Sequence, residues 1–210
     1  MQGTIAQKMS IHKTENAPRK AQNMSSKTTH FLDDSVLLAK FRNPTSQTYA
    51  FNLIVRKYRE RVYFHIRKMV IDHDDADDLT QDVFVKVWKA LPKFRGDSQL
   101  YTWIYRIASN ECLTFLKKKR QRFFIPIHDI SHELSQKLEA SRDFSGDEIQ
   151  QKLQKALLKL PDKQRLVFNM KYFDDMKYRD MAEILGTSVG GLKASYHHAV
   201  KKIENELNPK

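Results

Sequence analysis

Cysteine is nearly absent from this chain of 210 residues: a single one, Cys112, excludes an internal disulfide and any zinc site built from several thiolates. Long apolar runs are missing too. No stretch approaches the roughly 18 residues of a spanning helix, and the polar N-terminus lacks the apolar segment of a signal peptide. We therefore expect a soluble, cytoplasmic protein that inserts no segment into a membrane. Apolar residues make up only 40% of the chain and charged ones 30%, which leaves little material for a large buried catalytic cavity. Acidic residues are in deficit, 25 against 37 Lys and Arg, and the resulting charge of +12 favours a polyanionic partner.

Helical periodicity carries most of what is present. Residues 1–30 contain no aromatic residue and no sustained period, so they are expected to form a disordered tail, within which Met24 is an alternative start to Met1. SVLLAKF is followed by a break at Asn43-Pro44. Phe51, Ile54, Val55, Tyr58, Val62, Ile66 and Met69 then recur at helical spacing. A third helix is expected after Asp77 and a fourth from about Gln99 to Lys118, separated by the loop LPKFRGDS. Residues 119–147 lose the period and read as a linker. Beyond it, Ile149, Leu153, Ala156, Leu157 and Leu160 stripe one helix, Pro161 opens the next, and Leu166, Val167, Met170 and Phe173 stripe that one. No strand alternation or repeat is visible. The expected fold class is all-α: two small helical domains, 31–118 and 148–207, on a flexible linker.

The most specific local pattern is YRDMAEILGTSVGGLKASYHHAVKKI. Gly186 suits the left-handed residue that ends a helix, and Ser188 can cap the next, giving a helix-turn-helix. On a helical wheel Leu192, Tyr196, Ala199 and Ile203 face inward. Gly190, Ala194, His197, His198 and Lys201 face out, with Lys193 at the border suited to phosphate. Gly190-Gly191 weakens the second helix if it lies in the interior, at about 1 kcal/mol per glycine relative to alanine.

DHDDADDLTQDVF holds six Asp and one His, yet Asp residues at a helix start are already favourable against the helix dipole, so we expect no metal and no cofactor. Beyond it Leu79, Val83, Val87 and Phe84 turn inward, leaving Asp78, Gln81, Asp82 and Lys86 for solvent or a partner. In FRGDSQLYTWIYRIASNECLTFLKKKRQR, Leu100, Trp103, Ile104, Ile107 and Ala108 stripe the core. Thr102, Arg106 and Asn110 follow at four-residue spacing on another face, leading to the Lys117-Lys118 cluster. With the loop around Phe94 and Arg95, this suits unstacked bases and a single-stranded backbone.

DADDLTQDVFVKVW, FRGDSQLYTWIYRIASN, LPDKQRLVFNMKYF and the helix-turn-helix segment, in this order, resemble the extracytoplasmic-function group of bacterial RNA polymerase sigma factors over about residues 33–205. The resemblance implies regions 2 and 4 of that family and a non-catalytic role: binding core polymerase, directing it to promoters and promoting DNA melting. It implies that the helix carrying Asp78, Leu79, Gln81, Asp82, Phe84 and Trp88 meets the clamp helices of the polymerase β' subunit, with the β subunit a further partner. It implies that Arg95, Gly96, Asp97, Ser98, Thr102, Arg106, Asn110, Lys117 and Lys118 serve the minus-ten element. It implies that Ser188, Gly190, Lys193, Ala194, His197, His198 and Lys201 serve the minus-thirty-five duplex. A membrane-bound anti-sigma factor is the implied regulator, and nucleoid association the implied location when active. Many relatives carry Arg where this chain has Ser195 and His198, so the implied role carries no promoter preference with it. Two other readings predict different behaviour. A stand-alone helix-turn-helix regulator would bind a palindrome without polymerase, and a metal-dependent enzyme using the Asp cluster would fail with chelator.

Overall fold

Helix starts and stops follow local chemistry throughout the computed structural model of the chain, which describes residues 31–123 and 148–208. The expected tail over 1–30, the choice between Met1 and Met24, and residues 124–147 of the expected linker lie outside the described residues. Among the described residues there are eight α-helices, one short 3-10 turn and no strand, as the period-3.6 stripes require. No helix among them is long and apolar enough to cross a membrane.

Helix α1 (Asp34–Arg42) and α2 (Gln47–Val70) are separated by the Asn-Pro break. There the Asn43 side chain accepts from Thr45 N at 3.1 Å, and the Ser46 hydroxyl donates to Lys40 O at 2.7 Å. Asp34 ties the two helices together by accepting from the Tyr58 hydroxyl at 2.7 Å and pairing with Lys57 at 2.8 Å. Helix α3 (His73–Ala90) begins five residues earlier than the sequence suggests. The reason is its cap: the Asp72 carboxylate accepts from Asp75 N at 3.0 Å, so the acidic run forms the first turns of the helix.

The 3-10 turn (Leu91–Lys93) and a loop with Gly96 at φ 84° lead into α4 (Leu100–Phe123). This helix outruns its expected end at Lys118 because the lysines and arginines that follow are good helix formers. Ile54, Val62, Ile66, Val83, Val87, Ile104 and Ala108 interlock as the core of α1–α4.

The second group comprises α5 (Glu148–Leu158), α6 (Asp162–Tyr172), α7 (Tyr178–Leu185) and α8 (Val189–Leu207). The described residues from Asp34 onward form one compact unit. Within it α6 packs on α2 and α4, and α7 packs on α4. Leu166, Val167, Met170, Met181, Ile184 and Leu192 thereby join the same apolar core as the first four helices.

Candidate nucleic-acid interface

Helix α7 is eight residues long, too short to persist unaided, and it is held by burial of Met181 and Ile184. Gly186 closes it in the left-handed region, φ 62° and ψ 35°, which a side chain adopts only at a cost. One residue intervenes before Ser188, whose hydroxyl accepts from Gly191 N at 3.1 Å and caps α8. Leu192, Ala199 and Ile203 are buried, while Tyr196 stacks on Phe168 with ring centroids 5.6 Å apart. This is the inward face read from the wheel.

The opposite face is open. Ser188, Gly190, Lys193, Ala194, His197, His198 and Lys201 are all exposed. Gly190 and Gly191 correct one expectation, for they sit in the first turn of α8 rather than its interior, where helix geometry gives an amide no partner within the helix and the Gly191 amide is taken by the Ser188 cap. A Cβ at Gly191 would come within 3.3 Å of the capping Ser188 oxygen, whereas Gly190 faces open space. The helix thus starts with a polar, unobstructed N-terminus able to approach a phosphate backbone.

The loop and helix assigned to single-stranded DNA are more divided. Arg95, Gly96 and Asp97 are exposed and Ser98 half-exposed. Phe94 lies against Trp103, centroids 5.0 Å apart, so both aromatics are half-buried. Phe94, Arg95, Ser98, Trp103 and Arg106 border an open cleft of about 530 Å³. Asn110, Lys117 and Lys118 are exposed further along α4. Thr102 departs from its expected position on that outer face. It is 2% exposed, because α4 is covered on more than one side and its apolar stripe is wider than the spacing implied. Arg106, although exposed, donates to the main-chain oxygen of Glu183 on α7 at 2.6 Å.

On α3, Asp78, Gln81 and Asp82 share an exposed band with Val85, which is 50% exposed. Leu79 and Phe84 belong to the core instead of that band, and Trp88 is half-buried edge-on against Phe41 and Phe51. Their register explains this: Leu79 and Phe84 fall on the side of the helix that carries Val83 and Val87. Asp75 and Asp77, also in the acidic run, pair with Lys119 at 3.1 Å and Arg59 at 3.5 Å. The cluster is used for capping and ion pairing. Among the described residues no group of three His, Cys, Asp or Glu converges as metal ligands would.

Reasoning from sequence missed a set of polar residues where α6 meets α2. Arg165, Asn169 and Asp174 point into that seam, with Arg165 and Asn169 buried. Their one available signal was polar residues recurring on the inward side of an apolar stripe, Arg165 beside Leu166 and Asn169 beside Met170.

The family model described as Sigma-70 region 2 matches residues 54–122, and that described as Sigma-70, region 4 matches residues 150–203. The RNA polymerase sigma-H factor of Pseudomonas aeruginosa is 31% identical over 76% of this chain and 87% of its own. The ECF RNA polymerase sigma-E factor of Escherichia coli is 29% identical over 85% and 96%. Among solved structures, CnrH in complex with the cytosolic domain of CnrY superposes with a TM-score of 0.60 at 24% identity, over 83% of this chain and 96% of that one. The sigma factor RpoE of Bartonella quintana in complex with the anti-sigma factor NepR gives 0.57 at 21%, over 75% and 96%. At those identities the two structures speak for the fold. Taken with the family matches and the curated relatives, they show that this chain belongs to the extracytoplasmic-function group of RNA polymerase sigma factors.

Proposed function

We propose that this sigma factor divides its contacts among three surfaces. Residues 148–207 dock the exposed face of α8, with Gly190, Lys193, Ala194, His197, His198 and Lys201, on the minus-thirty-five duplex. Residues 31–118 use the Arg95–Ser98 loop, Arg106, Asn110, Lys117 and Lys118 to capture unstacked minus-ten bases. The α3 band of Asp78, Gln81 and Asp82 takes the clamp helices of the polymerase β' subunit, and further contacts fall to the β subunit. The protein supplies no catalysis of its own and acts at DNA in the cytoplasm.

One observation carries the reading: the six residues assigned to the duplex, and the capping Ser188 before them, are exposed together, while Leu192, Ala199 and Ile203 on the other side of the same helix are buried. Small residues permit close approach to the groove, and His and Lys supply donors and charge. The cleft beside Phe94 and Trp103 supports base capture, since it combines aromatic faces with the Arg95 and Arg106 cations. Of the similar solved structures, RpoE is bound to the anti-sigma factor NepR and CnrH to the cytosolic domain of CnrY, which supports a protein regulator of the anti-sigma kind here, membrane-anchored in our reading.

Run-off transcription with purified core polymerase and genomic promoter fragments tests the proposal. Promoter-specific transcripts that depend on this chain are expected. Absence of both transcript and core association would sink it.

A further inference from the structure

Helix α2 ends at Val70, and its last carbonyls, like those of any helix, lack partners within the helix. Two are capped from a distance of about a hundred residues. Arg165 donates to Met69 O at 2.9 Å and Asn169 to Lys68 O at 3.3 Å. The Arg165 cation thus sits against the negative end of the α2 dipole. Beside it the Asp174 carboxylate, on the loop after α6, pairs with Lys68, and His65 Nδ1 lies 3.6 Å from its second oxygen. On the far side of α4, Arg106 is spent on the Glu183 carbonyl. The two helical groups are therefore joined by polar bonds that also occupy a residue of the single-strand face.

This seam is imperfect in a telling way. Arg165 Nε and Asn169 Oδ1 are buried without a hydrogen-bond partner, and His65 Nδ1 and Asp174 Oδ2 meet only each other, at 3.6 Å, longer than a good hydrogen bond. Buried polar atoms are nearly always satisfied in a permanent core, whereas in an interface that parts, the same atoms regain water on opening. We propose that the chain silences itself through a polar latch, in which Asp174 and Arg165 hold α6 and α7 against α2 and α4 and keep Arg106 from DNA until the seam opens. The masking half of this proposal rests on the assignment of Arg106 to single-stranded DNA; the latch itself does not.

The apparent affinity of a partly closed protein is its intrinsic affinity scaled by the open fraction, so loosening the latch should strengthen DNA capture. The test uses the full chain with dyes on Tyr49→Cys and Asn205→Cys, both exposed positions, Cys112 being buried. Energy transfer between the dyes reads closure, and anisotropy with a fluorescein-labelled random single-stranded 12-mer pool reads capture. Asp174→Asn and, separately, Lys68→Gln are compared with the parent, each checked for unchanged helicity by circular dichroism. Lower transfer and oligonucleotide affinity raised by about fivefold or more are expected in both. Unchanged transfer in both folded variants overturns the latch, whatever the DNA result. Lower transfer with unchanged affinity overturns the masking, and lower transfer with no oligonucleotide binding in any variant supports the latch while removing the single-strand assignment.

Discussion

Cys112 is fully buried on α4, and burial pushes its thiol up to about 12, only partly offset by the nearby Arg165 charge. A thiol in that state is a packing group, because the thiolate is the nucleophile. The folded chain should resist disulfide reagents at about pH 8 and react fully once unfolded; rapid stoichiometric labelling of the native protein would refute this. Asp174 goes the other way. Burial opposes its ionisation, but His65 and Lys68 outweigh it and hold the carboxyl below its ordinary value. A depressed folded-state value means the stabilisation is present above the ordinary carboxylate range, around pH 4, and is lost as pH falls through the depressed one. Melting temperature followed downward from neutrality should therefore show a shallower acid limb in Asp174→Asn than in the parent, and parallel limbs would exclude the ion as a source of stability. Ser188→Ala removes a cap and should cost about 1 kcal/mol by chemical denaturation.

Individual helices were largely legible in the sequence, because a stripe at 3.6 spacing reports which face is buried wherever only one face is. The α8 wheel separated Leu192, Ala199 and Ile203 from His197 and Lys201 correctly for that reason. Gly186 and Ser188 were legible because caps depend on chemistry local to two or three residues. Thr102 was not, since α4 is covered by α2, α3 and α7 together and its polar residue is enclosed by elements that periodicity cannot bring together. The start of α3 was displaced for a different reason: six aspartates offer several caps, and only geometry selects Asp72. Element by element, the surfaces should be separable by mutation. Asp82→Arg, on an exposed position of α3, is expected to abolish association with core polymerase in pull-down while leaving the melting temperature unchanged. Lys193→Ala should weaken duplex binding about equally across sequences and lower the salt dependence by about one unit of slope, as loss of a phosphate contact does. His197→Ala should instead change the ranking of promoter sequences.

Across the molecule, the bonds that determine how the helical groups meet connect residues such as Met69 and Arg165, 96 positions apart. Pattern within a single sequence carries no pairing information over that range, which is why the seam was illegible while its helices were not. Its energetics follow from its composition. A joint apolar core makes the helices of residues 34–123 and 148–207 cooperate, and each charged or polar bond across the seam adds roughly 0.5–3 kcal/mol to that cooperation. Both tryptophans, Trp88 and Trp103, lie in the first helical group, so their fluorescence reports that group alone, whereas circular dichroism reports every helix. In urea the two signals should fall together for the parent chain, as a single cooperative transition requires. In the double variant Arg165→Ala with Asn169→Ala, the carbonyls of Lys68 and Met69 lose their caps and the groups should uncouple. The curves are then expected to separate, with part of the dichroism lost before the tryptophan signal moves. Coincident curves in the double variant would mean that apolar packing alone couples the two halves, and that the polar bonds across the seam add nothing the molecule uses to stay closed.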